Sequence, residues 1–141
     1  HAYIEILEKK GNDLCRIENL YTGDGVNPRH FKKTSLIKSI NIPLDEDFRV
    51  VFNKLRQRES LEFSSLSTAV SINKKGKLII VLGGVDPKPV VISATANDNK
   101  EELIKKAVKQ ARIVDNDTYS REYRKEMIGV YLKRSFVELG L

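Results

Sequence analysis

The feature that most constrains this chain is a change of period. As far as about residue 95, apolar residues tend to alternate with polar ones. Beyond Asp98 they recur at i, i+3 and i+4. Leu103, Ile104, Ala107, Val108 and Ala111 then fall on one helical face, with Lys and Glu opposite. Asp98, with Glu101 three residues on, has the form of an N-cap and capping box. "VDND" breaks this helix, and a second helix is expected from about Thr118. Its stripe of Tyr119, Tyr123, Met127, Val130 and Tyr131 is expected to face the core. Strands first and helices last indicate an α+β fold, an antiparallel sheet with the C-terminal helices packed on one face.

The strands follow from alternation and turn residues. "AYIEILE" and "LCRIENL" read as two strands of a hairpin about "KKGND". "YTGDGVNPRH" is a loop. "SLIKSINIPL" reads as a strand ended by Pro43, with Ile40 and Ile42 on one face and Leu36 near the same row. "DFRVVFNKLR" alternates through Phe48, Val50 and Phe52, which favours a strand over the helix its polar ending would allow. "SLSTAVSI" and "LIIVLGG" form a long hairpin about "NKKGK"; "VDPKP" is a rigid loop and "VVISAT" a short extended segment.

Composition excludes several classes. The 141 residues suit one compact domain, or one domain and a piece of another. The apolar runs are too short for a membrane span, and the alternating start reads as a strand rather than a signal peptide. His1 lies inside that strand, which points to a fragment with further sequence upstream. Cys15 is the one cysteine, so no internal disulfide forms, and a reducing compartment, the cytoplasm, is expected. One cysteine cannot hold an iron–sulfur cluster, and His1 and His30 lack neighbours at metal-ligand spacing, so no metal site is expected. The net charge of +6 comes from basic pairs spread along the chain; with no Trp and 7% aromatics, this is a solvated surface rather than a nucleic-acid stripe.

Few residues suggest chemistry, and no catalytic acid, base or nucleophile stands out. "TGDG" is a plain turn before it is a phosphate cradle. "LGG" makes either a tight turn or a close backbone approach to a ligand. Lys54, Arg56 and Arg58 share a face if their segment stays extended, either to meet an anion or as a charged strand edge. Ser120, Tyr123 and Arg124 form a polar cluster at a helix start.

The order of these signals is more telling than any one of them. "SLIKSINIP", "FNKLRQRESLEF" leading into "TAV", "LGGVDPKPV" and "DNDTYSREYRKEMIGVYLKR" together resemble the C-terminal part of the FAD-binding (medium) subunits of molybdenum hydroxylases. That family includes the flavoprotein subunits of carbon monoxide dehydrogenase and xanthine dehydrogenase. Ser120, Tyr123 and Arg124 match its S-x-x-Y-R helix opening; Asn116, between Asp115 and Asp117, replaces the leading acidic residue. Arg134 fits a later basic position.

The resemblance implies residues 1–35 as the tail of a preceding FAD-binding domain and residues 36–141 as the flavoprotein C-terminal domain. It implies FAD in the complete subunit, with the main pyrophosphate loops outside this sequence. Ile37 and Lys54 are the cofactor-binding positions it implies. It further implies an FAD-dependent oxidoreductase passing electrons to an external acceptor. The partners would be the upstream FAD-binding domain, an iron–sulfur small subunit and a molybdopterin large subunit. The rival reading is an interface domain of the same fold that does not bind FAD by itself.

Overall fold

The computed structural model describes residues 2–44, 47–116 and 118–141. The chain divides into two compact units, His1–Glu46 and Asp47–Leu141.

In the first unit, β1 (Tyr3–Glu8) lies between β2 (Gly11–Arg16) and β3 (Leu36–Asn41), with both pairings antiparallel. Ile4, Ile6 and Leu20 form its small core, flanked by Cys15, Ile17, Tyr21 and Phe31. On the other face of β1, Glu5 accepts hydrogen bonds from Lys38 (2.8 Å), Ser39 (3.0 Å) and Asn12 (2.9 Å), which joins all three strands. These donors hold the Glu5 carboxyl below its usual range, Lys38 most of all.

One expectation is corrected here. "LCRIENL" is not one strand, because β2 ends at Arg16 and Ile17–Leu20 is a 3-10 turn. Arg16 pairs with Tyr3, the first residue of β1, so the chain beyond has no strand left to pair with. The row of Leu36, Ile40 and Ile42 is exposed. β3 is an edge strand of a sheet whose core comes from β1 and the 3-10 turn.

The second unit is a meander of β4 (Phe48–Leu55), β5 (Leu66–Asn73), β6 (Lys77–Gly83) and β7 (Val90–Thr95), each antiparallel to the next. α1 (Lys100–Gln110) and α2 (Arg121–Leu139) supply the residues that close its core. Strict alternation decides the faces. Val51 and Leu55 of β4, alternate residues Leu66–Ile72 of β5, Leu78, Ile80 and Leu82 of β6, and Ile92 of β7 are buried. Against them pack Leu103, Ile104 and Ala107 of α1, and Ile128, Leu132, Phe136 and Leu139 of α2. Each such buried Val, Leu, Ile or Phe side chain contributes about 1.5–3 kcal/mol relative to exposure.

Polar groups on the same face are mostly paired. Asn53 donates to Ser135 Oγ (3.0 Å), and Ser135 donates to the Tyr131 carbonyl (2.8 Å). Arg49 donates to the Leu139 carbonyl (2.9 Å) at the other end of β4.

The helix starts differ from the sequence reading. The N-cap of α1 is Asn99, which accepts from the Glu102 amide (3.1 Å). Asp98 caps nothing because its carboxylate accepts from the Thr95 amide (2.9 Å) in the preceding turn. α2 begins at Arg121 with Ser120 as its cap, and Asp117 lies outside the described residues. The stripe of Tyr119, Tyr123, Met127, Val130 and Tyr131 is a half-buried flank, with Tyr123 exposed. The core stripe of α2 is Arg124, Ile128, Leu132, Ser135, Phe136 and Leu139. Two of those six are polar, so a search for apolar residues settles on the neighbouring flank.

Candidate functional site

The outer face of the second sheet carries the residues left over by this alternation. Lys54 lies opposite Ser67, which lies opposite Gly83. The next row runs Phe52, Ala69, Val81 and Val91 across all four strands. Phe52 and Val91 are more than half exposed. Small residues therefore leave a flat corner between the Lys54 stem and the apolar row. Gly83 is needed for that flatness: a Cβ there would sit 2.5 Å from Ser67 Oγ. Lys54 is exposed and forms no ion pair among the described residues. A flat, partly apolar corner with one free ammonium suits a planar anionic or electron-accepting ring.

Arg56 and Arg58 do not share this face, because β4 ends at Leu55. Arg58 lies in the following loop, where its amide donates to Glu62 (2.6 Å) and its guanidinium to the Leu61 carbonyl (3.3 Å). Leu61 and Phe63 on that loop are almost fully exposed. Ile37 is on β3 in the other compact unit, 44% exposed.

The helix-start cluster resolves into separate duties. Ser120 Oγ accepts from the Tyr123 amide (3.2 Å). The Tyr123 ring stacks on Tyr119, with centroids 5.3 Å apart. Burial raises the Tyr119 hydroxyl above its usual value, so it stays neutral at ordinary pH. Arg124, only 3% exposed, donates to the carbonyls of Val114 (2.6 Å), Ser65 (2.5 Å) and Gly84 (2.5 Å). Burial lowers its pKa while Asp115 opposes the shift.

"LGG" makes a tight turn. Gly84 has φ +76°, and a Cβ there would lie 3.1 Å from the Ser65 carbonyl oxygen. The loop beyond is fastened by Asp86, whose carboxylate accepts two hydrogen bonds from Arg112 (2.5 and 2.9 Å). Arg112 holds that carboxyl below its usual range. The sequence reading did not pair Asp86 with Arg112. The one available signal was an acidic residue in a Pro-rich loop and a basic residue just past a helix end.

"TGDG" is a self-satisfied turn. Thr22 Oγ1 accepts from the Asp24 amide (2.9 Å) and Asp24 from the Val26 amide (2.8 Å), so those donors are taken. Nearby, Glu8, Asp13, Cys15, Asn19, His30 and Phe31 help line a cleft of about 240 Å³. Glu8 is committed to Lys32 (3.1 Å) and Ser35 (3.0 Å). Among the described residues no group of three or more His, Cys, Asp or Glu is arranged to hold a metal ion.

No protein-family model and no curated protein matches this chain. Solved structures do. A Cu,Mo-CO dehydrogenase in its cyanide-inactivated form matches with a TM-score of 0.79 and 21% identity, over 96% of this chain and 51% of that one. A reconstituted CO dehydrogenase from Oligotropha carboxidovorans matches with a TM-score of 0.80 and 20% identity, over 96% and 51%. Quinoline 2-oxidoreductase from Pseudomonas putida 86 matches with a TM-score of 0.78 and 12% identity, over 97% and 51%. The chain thus spans about half the length of the structures it matches, and at these identities the likeness is one of fold.

Proposed function

We propose that this chain, which has the α+β fold found in CO dehydrogenase and quinoline 2-oxidoreductase, is the C-terminal part of the FAD-containing subunit of a molybdenum hydroxylase-type dehydrogenase. The observation that carries this reading is the match along nearly the whole chain to enzymes of that kind. The exposed, unpaired Lys54 beside the flat Ser67–Gly83 corner supports it.

Bound FAD supplies a redox-active isoalloxazine ring. The Lys54 ammonium holds positive charge against the negative charge such a ring gains on reduction. Ile37, apolar and accessible, packs on a ring face and keeps water from it. The FAD pyrophosphate is held by an upstream domain. The partners of such a subunit would be an iron–sulfur subunit and a molybdopterin subunit, and the bound flavin would supply the link between them and an external acceptor. Cys15, alone and free, suits work in the cytoplasm. Residues 1–35 are the tail of the flavin domain, and 36–141 its C-terminal companion.

The second reading is an interface domain that binds no FAD by itself. The exposed apolar residues of the outer sheet face, Val50, Phe52 and Val91, favour it.

Flavin fluorescence titration tests the upstream placement of the pyrophosphate site, and the flavin potential of the complete subunit separates the two readings. Residues 1–141 alone are expected to bind FAD more weakly than about 1 μM; tighter binding contradicts placing the pyrophosphate site upstream. In the complete subunit, Lys54→Ala is expected to lower the flavin midpoint potential. One lost charge interaction of about 1 kcal/mol corresponds to roughly 20 mV for a two-electron couple. An unchanged potential and affinity with lost stability makes Lys54 structural.

A further inference from the structure

We propose that Arg124 is a positioning residue for Lys54, acting through the backbone from the opposite face of the sheet. The role for Lys54 rests on the flavin reading above; the backbone linkage does not. Arg124 is buried, and among the described residues no carboxylate hydrogen-bonds to its guanidinium; its acceptors there are three neutral carbonyls. Burying a cation this way is costly, and its Nε has no partner among the described residues. An apolar side chain would fill the same place on the α2 core stripe at less cost. What the guanidinium adds is geometry.

The three carbonyls belong to three separate segments. Ser65 precedes β5, Gly84 follows β6, and Val114 lies between α1 and α2. One nitrogen, Nη2, donates to both Ser65 and Gly84 and so sets the spacing between the two strand ends. Ser65 in turn donates its amide to the Leu55 carbonyl (3.0 Å), one residue after Lys54. Two hydrogen bonds through one residue therefore connect Arg124 to the exit of β4. On the outer face, Lys54, Ser67 and Gly83 form the row beside these same strand ends. The planar fork fixes the directions of both Nη2 donors and ties them to Val114 through Nη1, whereas a lysine carries rotatable donors on a flexible stem and fixes neither.

The test uses Arg124→Lys, which keeps the charge, and Gly84→Ala, whose added methyl presses on the Ser65 carbonyl with Arg124 intact. Hydrogen exchange followed by NMR is read on the Ser65 amide in variants whose circular dichroism stays native. Both are expected to lower Ser65 protection by about tenfold or more relative to mid-strand amides of β5. Unchanged Ser65 protection in both variants overturns the linkage.

The flavin potential of the complete subunit is then measured for Arg124→Lys, alone and with Lys54→Ala. If Arg124 acts through Lys54, its effect on the potential disappears in the Lys54→Ala background. An equal shift in both backgrounds overturns positioning through Lys54. If Lys54→Ala itself leaves the potential unchanged, the flavin role of Lys54 fails and the positioning of Lys54 for it falls too. Ser65 exchange still decides whether Arg124 holds the exit of β4.

Discussion

At the scale of single residues, the opening of α2 separates capping from clamping. Ser120 makes a cap bond to Tyr123 and nothing more elaborate. Ser120→Ala is therefore expected to cost about 1 kcal/mol in urea denaturation, the usual worth of an N-cap. Asp86 has a pH signature. Its folded pKa is depressed by Arg112, so its contribution is fully present above the ordinary Asp value and lost as pH falls through the depressed one. The stability gap between the wild type and Arg112→Met should accordingly narrow as pH falls below about 4. A gap that stays constant down to acid pH would show that the Asp86 charge contributes nothing. The S-x-x-Y-R pattern was legible in the sequence, but the targets of Arg124 were not. They are carbonyls on distant segments, and backbone acceptors leave no mark in side-chain identity.

Elements were read well where the period was clean. β5 and β6 alternate strictly and are joined by a turn containing Asn and Gly, so the pair was read as a long hairpin. Where the period was mixed, reading was poorer. α2 places Arg124 and Ser135 among its buried residues, where both terminal nitrogens of Arg124 and the hydroxyl of Ser135 find carbonyls. Apolar pattern alone therefore points one position away, to Met127 and Tyr131. The difference is measurable. Leu132→Ala is expected to cost about 2–5 kcal/mol, whereas Val137→Ala, on the exposed side of the same helix, should stay within about 0.5 kcal/mol. Lys54 was legible as a candidate. Its flat surroundings were not, since the Ser67–Gly83 corner depends on strand register.

On the scale of the whole molecule, the compact units divide at 46/47, because β3 is hydrogen-bonded to β1 and not to the four-stranded sheet. Each unit has its own core. Residues 47–141 expressed alone are expected to unfold cooperatively by heat, with the same Tm as residues 36–141. A higher Tm for the longer fragment would return β3 to the second unit.

The pairing of β4 with α2 also bears on how the chain reaches this state. Asn53 meets Ser135, and Arg49 meets Leu139, contacts that are 82 and 90 residues apart. The first strand of the second unit is thus completed by its last helix. Hairpins β4–β5 and β5–β6 close locally and quickly, but their apolar inner face has no cover until α2 docks. Long-range closure of this kind slows folding, because chain entropy is lost before the contacts reward it. During synthesis, a paired and greasy sheet precedes its lid, and this interval is when the chain is most open to aggregation or to a chaperone's grip.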